Sequence, residues 1–271
     1  AMPRATALMG VPTFYTRLLA QPGLTREGAG RMRLFISGSA PLLAQTHREW
    51  AGRTGHAILE RYGLTETGMN ASNPYEGERR AGTVGFALAG VKLRLVDAAG
   101  AAVPRGQVGG VEVKGPNVFS GYWRDPEKTA EAFRPHGWFI TGDLGAIDAD
   151  GCLAIVGRAK DLIITGGLNV YPGDVEAALD ALPGVVESAV IGLGHPDLGE
   201  AVTAVVVAAS GARLTQAAIL AAVAPALARF KQPKRILFAA ELPRNAMGKV
   251  GKAALRERHA DLFGPPQNRL I

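Results

Sequence analysis

Apolar positions fall into three textures along the 271-residue chain. Over residues 6–19 they recur at helical spacing, interrupted by Pro12, and predict a broken helix. Leu34-Phe35-Ile36 is a short apolar run that ends in Ser37-Gly38-Ser39, the pattern of a buried strand feeding a loop. Residues 43–54 predict a helix stopped by Gly55, and residues 57–61 a second short strand running into a loop over 62–68. This strand–loop–helix–strand–loop order predicts a parallel sheet with a ligand site at its strand ends.

From Gly82 to Gly157 the period shortens. Val91, Leu93 and Leu95 alternate with Lys92 and Arg94, and Val111 and Val113 alternate with Glu112 and Lys114, with frequent glycines between the runs. That texture predicts short antiparallel strands in a small barrel or curled sheet. From Asp161 onward a further α/β unit is predicted. It has an amphipathic helix over 172–182, strands over 185–193 and 202–208, a helix from Thr215 to Phe230 kinked at Pro225, a strand over 236–239 and a last helix over 252–262. The domain boundary is placed at Arg158-Ala159-Lys160, giving a first domain over 1–158 (an α/β part over 1–80 and a β-barrel-like part over 81–158) and a small one over 159–271.

Composition narrows the class. Apolar residues at 47% and charged residues at 20% exclude a disordered chain. No apolar run approaches the ~20 residues that span a bilayer, and the single cysteine, Cys152, cannot close an internal disulfide, so a reducing cytoplasm is expected. The net charge of +6 is scattered, with no like-charge run longer than Arg79-Arg80, and so does not predict nucleic-acid binding. A nucleotide or CoA substrate would suit the same mild bias.

Five segments carry candidate chemistry. In Ser37-Gly38-Ser39-Ala40-Pro41, small residues at a strand end let a flat ring or a phosphate approach the backbone. Tyr62-Gly63-Leu64-Thr65-Glu66-Thr67 combines an aromatic face, two hydroxyls and a carboxylate, enough to stack a base and hold Mg²⁺ through oxygen. Asp143 in Thr141-Gly142-Asp143-Leu144 follows a glycine turn and could accept two ribose hydroxyls. Arg158 and Lys160 stand at the domain joint, a hinge candidate, with Gly166-Gly167 just beyond. Lys249, on a glycine-flanked loop near the chain end, can neutralise charge developing on a phosphate. Singly, each also fits an ordinary turn or a solvated side chain.

In this order and spacing the five segments resemble the adenylate-forming superfamily: acyl-CoA synthetases, luciferases and peptide-synthetase adenylation domains. Gly121-Tyr122-Trp123 and the run to Phe133 add to the likeness. The resemblance implies a partial large domain, made of a parallel-sheet remnant and a small β-barrel, followed by a small mobile α/β lid. It implies a carboxylate activated by ATP as an acyl-adenylate, with Mg²⁺ on the phosphates, and then passed to the thiol of CoA. Carried over, Gly38, Ser39 and Ala40 line the adenine pocket with Tyr62 against the base. Thr65 meets the α-phosphate, Glu66 holds Mg²⁺, and Asp143 takes the ribose with Arg158 close by. Lys160 is the hinge, Gly166 and Gly167 face the pantetheine tunnel, and Lys249 promotes adenylation. The family's Ser/Thr/Gly-rich phosphate loop, ending in Pro-Lys-Gly, has no counterpart here, so the chain by itself is expected to be inactive.

Residues 10–17, ending in Arg17, resemble the acyl-pocket segment of malonyl-CoA synthetases. There Arg17 would bind the distal carboxylate of malonate or methylmalonate bidentately, helped by Ser37, with Met69 as the pocket floor. The alternatives are a fatty-acid or aryl-acid ligase, a peptide-synthetase module and a non-enzymatic binding protein. Oligomeric state has no signature in the sequence.

Overall fold

In the computed structural model, residues 5–245 and 248–264 are described, and the chain divides into two compact units, Ala1–Val156 and Gly157–Ile271. The first holds two sheets. One runs in the order β1 (Ala7–Gly10), β2 (Leu34–Ser37), β3 (Leu59–Leu64), β4 (Gly68–Ser72) and β5 (Phe86–Ala87). Strands β2 and β3 pair in parallel, as expected, β1 joins β2 in parallel, and the last two strands join antiparallel. Helices α1 (Pro12–Leu19), α2 (Arg26–Ala29) and α3 (Ala44–Thr54) belong to this part. Their apolar faces meet at Trp50, which is wholly buried with Tyr15 and Phe35 edge-on to its ring, both centroids at 4.9 Å. The Tyr15 hydroxyl donates to the Ile36 carbonyl at 2.6 Å, and burial raises its pKa.

Two expectations change here. Residues 7–10 are an edge strand rather than a helical turn, because β2 offers them a parallel ladder, and Pro12 starts α1 at a position that needs no N–H donor instead of breaking a helix. The segment 62–68 is not an open loop. Strand β3 continues through Tyr62 to Leu64, and only Thr65-Glu66-Thr67 turns before β4 returns. Gly63 permits so tight a return, since a Cβ there would lie 2.1 Å from the Gly68 carbonyl oxygen.

The second sheet, antiparallel along its paired strands, comprises β6 (Lys92–Val96), β7 (Val108–Lys114), β8 (Phe133–Arg134), β9 (Trp138–Ile147) and β10 (Leu153–Arg158), with α4 (Pro126–Glu131) inserted. It realises the alternating texture of residues 82–157, with Leu95, Val111, Val113 and Leu153 on the buried side together with Tyr62 and Ala71.

The other unit is built on β11 (Ile163–Thr165), β12 (Leu168–Val170), β13 (Val185–His195), β14 (Gly199–Ala208) and β15 (Arg235–Ala239), ordered β12-β11-β14-β13 with β15 parallel to β14. Helices α5 (Pro172–Asp180), α6 (Gln216–Val223) and α7 (Lys252–Arg258) accompany the sheet. Gly166 and Gly167, both left-handed at φ +56° and +78°, form the two-residue turn of the β11–β12 hairpin. The Thr215 side chain caps α6 by accepting from the Ala218 N–H at 3.2 Å. That helix ends at Val223 rather than kinking on to Phe230: Ala224 is still helical, but Pro225 has no N–H to continue the ladder. Helix α7 likewise stops at Arg258, short of Leu262. Among the described residues no helix is long and apolar enough to cross a membrane.

Candidate active site

Two residues 81 positions apart define the centre of the site in the first unit. Tyr62, on β3, donates its hydroxyl to Asp143 Oδ2 at 2.6 Å, and Asp143 lies on β9 of the other sheet. Both are buried. Asp143 is held from behind: its N–H donates to Thr141 Oγ1 at 3.1 Å, and that hydroxyl donates to the Val111 carbonyl at 2.7 Å. A carboxylate so fixed can accept hydrogen bonds from a vicinal diol without reorganising.

The turn at 65–67 stands at the end of the same strand. Thr65 is exposed and Glu66 half-buried. The segment after β7 clamps this turn. Phe119 N–H donates to the Glu66 carbonyl at 2.8 Å, Asn117 Nδ2 to the Thr67 carbonyl at 2.7 Å, and the Tyr122 hydroxyl to Glu66 Oε1 at 3.2 Å. Burial and the nearby Glu66 charge raise the Tyr122 pKa, so the phenol stays a donor at neutral pH. No group of three or more His, Cys, Asp or Glu side chains that could hold a metal exists among the described residues. A lone carboxylate suits Mg²⁺, which takes one or two protein oxygens and fills its shell from phosphates and water.

At the end of β2, Ser37 is buried with its Oγ unpartnered among the described residues, and Ser39 takes a left-handed φ of +69°. A non-glycine residue in that region is uncommon. Gly38 and Ser39 open onto a cavity of about 300 Å³, whose walls are Met9, Gly10, Val11 and Phe14 on one side and Arg61, Gly63 and Met69 on the other. Ala40 is exposed beside it in sequence, without lining it.

Arg61 carried no motif of its own. It faces the cavity because β3 runs parallel to β2, which lays its side chain against Gly38 and brings Nη2 to 2.9 Å from Met9 Sδ. Arg17 is exposed on α1, one turn beyond Phe14, and is not part of the lining. Met69 is part of it, and Ser37 is not.

In the second unit Arg158 is half-buried at the end of β10, and Lys160 is exposed in the single 3-10 turn that follows. Gly166 and Gly167 are exposed at their hairpin tip. Lys249 is half-buried beside a tight backbone turn.

Sequence comparisons match residues 2–123 to the family described as AMP-binding enzyme and residues 174–249 to the AMP-binding enzyme C-terminal domain. A malonate–CoA ligase of Arabidopsis thaliana is 40% identical over 271 residues, a match covering 93% of this chain and 44% of that protein. A sulfoacetate–CoA ligase of Cupriavidus necator is 41% identical, over 92% of this chain and 49% of the relative. Among solved structures, ATP-bound MatB from Rhodopseudomonas palustris superposes with a TM-score of 0.94 at 62% identity, covering 97% of this chain and 52% of that one. The chain spans about half the length of the curated relatives it matches.

Proposed function

Because this chain belongs to the AMP-binding enzyme family of the adenylate-forming superfamily, we propose that the protein activates a small carboxylic acid as its acyl-adenylate and passes the acyl group to CoA. In the first half-reaction a carboxylate oxygen attacks the α-phosphorus of ATP and the bond to pyrophosphate breaks. In the second, the sulfur of CoA attacks the acyl carbon and AMP leaves.

Each residue has work within that scheme. Tyr62 offers its ring to adenine, against the small residues Gly38, Ser39 and Ala40. Asp143 accepts from the ribose hydroxyls, with Arg158 assisting. Thr65 donates to the α-phosphate, and Lys249 neutralises charge that grows there during adenylation. Glu66, oriented by Tyr122 and Phe119, would hold Mg²⁺, which supplies charge neutralisation on the phosphates. Lys160 serves as the hinge, and the Gly166-Gly167 tip leaves room for the pantetheine arm.

The observation that carries the substrate class is the charged wall of the small cavity. Its volume of about 300 Å³ is at the lower end for ligand pockets. A guanidinium at its side offers two parallel donors to a second carboxylate, which a fatty or aryl acid lacks. Malonate or methylmalonate fits this description, and relatives named as malonate–CoA and sulfoacetate–CoA ligases act on short acids of the same kind. Arg61 is the first candidate for the distal carboxylate and Arg17 the second.

The test is pyrophosphate exchange with malonate, octanoate and benzoate, using the protein at the full length of its reading frame. Malonate should be preferred. Arg61→Ala should raise the KM for malonate about 100-fold, the cost of a lost charge-assisted pair, and leave the weak octanoate rate unchanged. A loss confined to Arg17→Ala would reassign the role, and a loss in neither variant would end the diacid reading.

A further inference from the structure

We infer that Arg244 is a positioning residue for Lys249, fastening the lysine's loop to β13 through a guanidinium with a partner at each end. The inference rests on the reading of Lys249 as the adenylation lysine. Around that lysine the backbone folds back on itself. Arg244 and Val250 face each other in an antiparallel bridge, and Gly251 N–H donates to the Pro243 carbonyl at 2.7 Å. Asn245 N–H donates to the Lys249 carbonyl at 2.9 Å, and Lys249 N–H to Asn245 Oδ1 at 3.0 Å. These bonds shape the loop but are internal to it. They do not set where Lys249 stands relative to the sheet.

Arg244 does. Its Nη1 donates to the Gly248 carbonyl at 2.9 Å, one residue before Lys249, while Nη2 pairs with the Glu187 carboxylate on β13. A second tie holds the other arm: Lys252 Nζ meets Glu176 Oε1 at 2.7 Å, and the same oxygen accepts the Val190 N–H of β13 at 2.7 Å. A planar guanidinium can serve a carbonyl and a carboxylate at once in fixed geometry. A lysine ammonium in its place would follow one partner and lose the other. Partly exposed pairs of this kind add little to global stability. What their loss changes is the placement of Lys249, and small misplacements of a catalytic group are costly to rate.

The experiment uses the full-length protein with Arg244→Lys, Glu187→Gln and, as the control, Lys249→Ala. Arg244→Lys and Glu187→Gln should each slow malonate-dependent pyrophosphate exchange about 10-fold. Transfer from supplied malonyl-adenylate to CoA should stay within about twofold, because only the first half-reaction uses Lys249. Amide exchange at Gly248 and Lys249 should quicken about 10-fold while β13 and β14 stay protected. If Lys249→Ala leaves pyrophosphate exchange intact, the reading of Lys249 is what fails, and the amide exchange still judges the bridge. Unchanged loop exchange overturns the bridge, as do equal losses in both half-reactions. So does recovery in the reversed pair Arg244→Glu with Glu187→Arg, since a glutamate cannot donate to the Gly248 carbonyl.

Discussion

Replacing Glu112 by alanine should lower the stability of the first unit by about 3 kcal/mol, the lower end of the usual cost of breaking a buried charge pair, because both arginine partners keep about a third of their side chains in solvent. Glu112 is 1% exposed in the middle of β7 and takes both neighbouring arginines. Arg94 on β6, directly across the ladder, donates Nε to Oε2 at 2.8 Å, and Arg134 on β8 donates Nε to Oε1 at 2.9 Å. The Arg94 guanidinium also lies over the Trp138 ring, 4.3 Å from its centroid. One carboxylate therefore joins three strands, and its removal leaves two guanidiniums facing each other across a gap. The cost comes from those stranded charges more than from any net gain of the intact triad. A triple variant, Glu112→Leu with Arg94→Met and Arg134→Met, should therefore recover most of the loss. Thermal unfolding followed by circular dichroism would read the single variant as a fall of about 10 °C in the first unit's transition. A fall under about 2 °C would show that the arginines find water instead.

The triad illustrates what the chain's pattern of apolar and polar positions can and cannot convey. Alternation through Val111, Glu112, Val113 and Lys114 identifies a strand correctly, because period two is a property of the local backbone. It does not tell a solvated polar face from a covered one, and Glu112 is covered by side chains from β6 and β8. The same division holds elsewhere. Strands β2, β13 and β14 and helix α3 are legible because β-branched runs, helical spacing and glycine stops act within a few residues. Strand β1 is not legible, because four residues at a sheet edge are a strand only by virtue of β2 beside them.

The candidate site divides in the same way. Tyr62 and Asp143 stood out singly, as polar residues beside glycine turns, yet nothing local to either foretells a 2.6 Å hydrogen bond between two sheets. Only the order and spacing of several segments suggested a common centre. Arg61 has no local signature, since it sits one residue before the segment 62–67 and looks like an ordinary exposed strand arginine. Its place beside Gly38 and Met9 follows from parallel pairing, a long-range fact. Arg17 drew attention through a local resemblance, and its exposure on α1 depends on which helical face Tyr15 and Leu18 turn toward the core.

Glu60→Gln should stabilise the first unit, and by an amount that grows with pH. Glu60 is 5% exposed on β3, two residues before Tyr62, and burial pushes its carboxyl up to about 8, eased only by a long hydrogen bond from the Gly82 N–H at 3.4 Å. In the unfolded chain the same group titrates near 4.5. Between those two values the folded state keeps a proton that the unfolded state has released, so stability falls as pH rises through the window and levels off above about 8. Each pH unit of separation is worth about 1.4 kcal/mol, which sets a ceiling near 5 kcal/mol, and relaxation around the ionised group brings the expected figure to about 3 kcal/mol. Glutamine keeps the shape and does not ionise. Unfolding free energies from urea titrations of the parent chain and the variant should then nearly coincide at pH 4.5 and separate by about 3 kcal/mol at pH 9. Asp180, whose buried carboxyl is raised to about 7 in the other unit, drifts in the same direction, but it is common to both proteins and cancels in the difference. A constant gap from pH 4.5 to pH 9 would mean that Glu60 ionises normally in the fold. A gap that opens as described makes Glu60 a buried carboxylate that costs the fold stability wherever it is ionised.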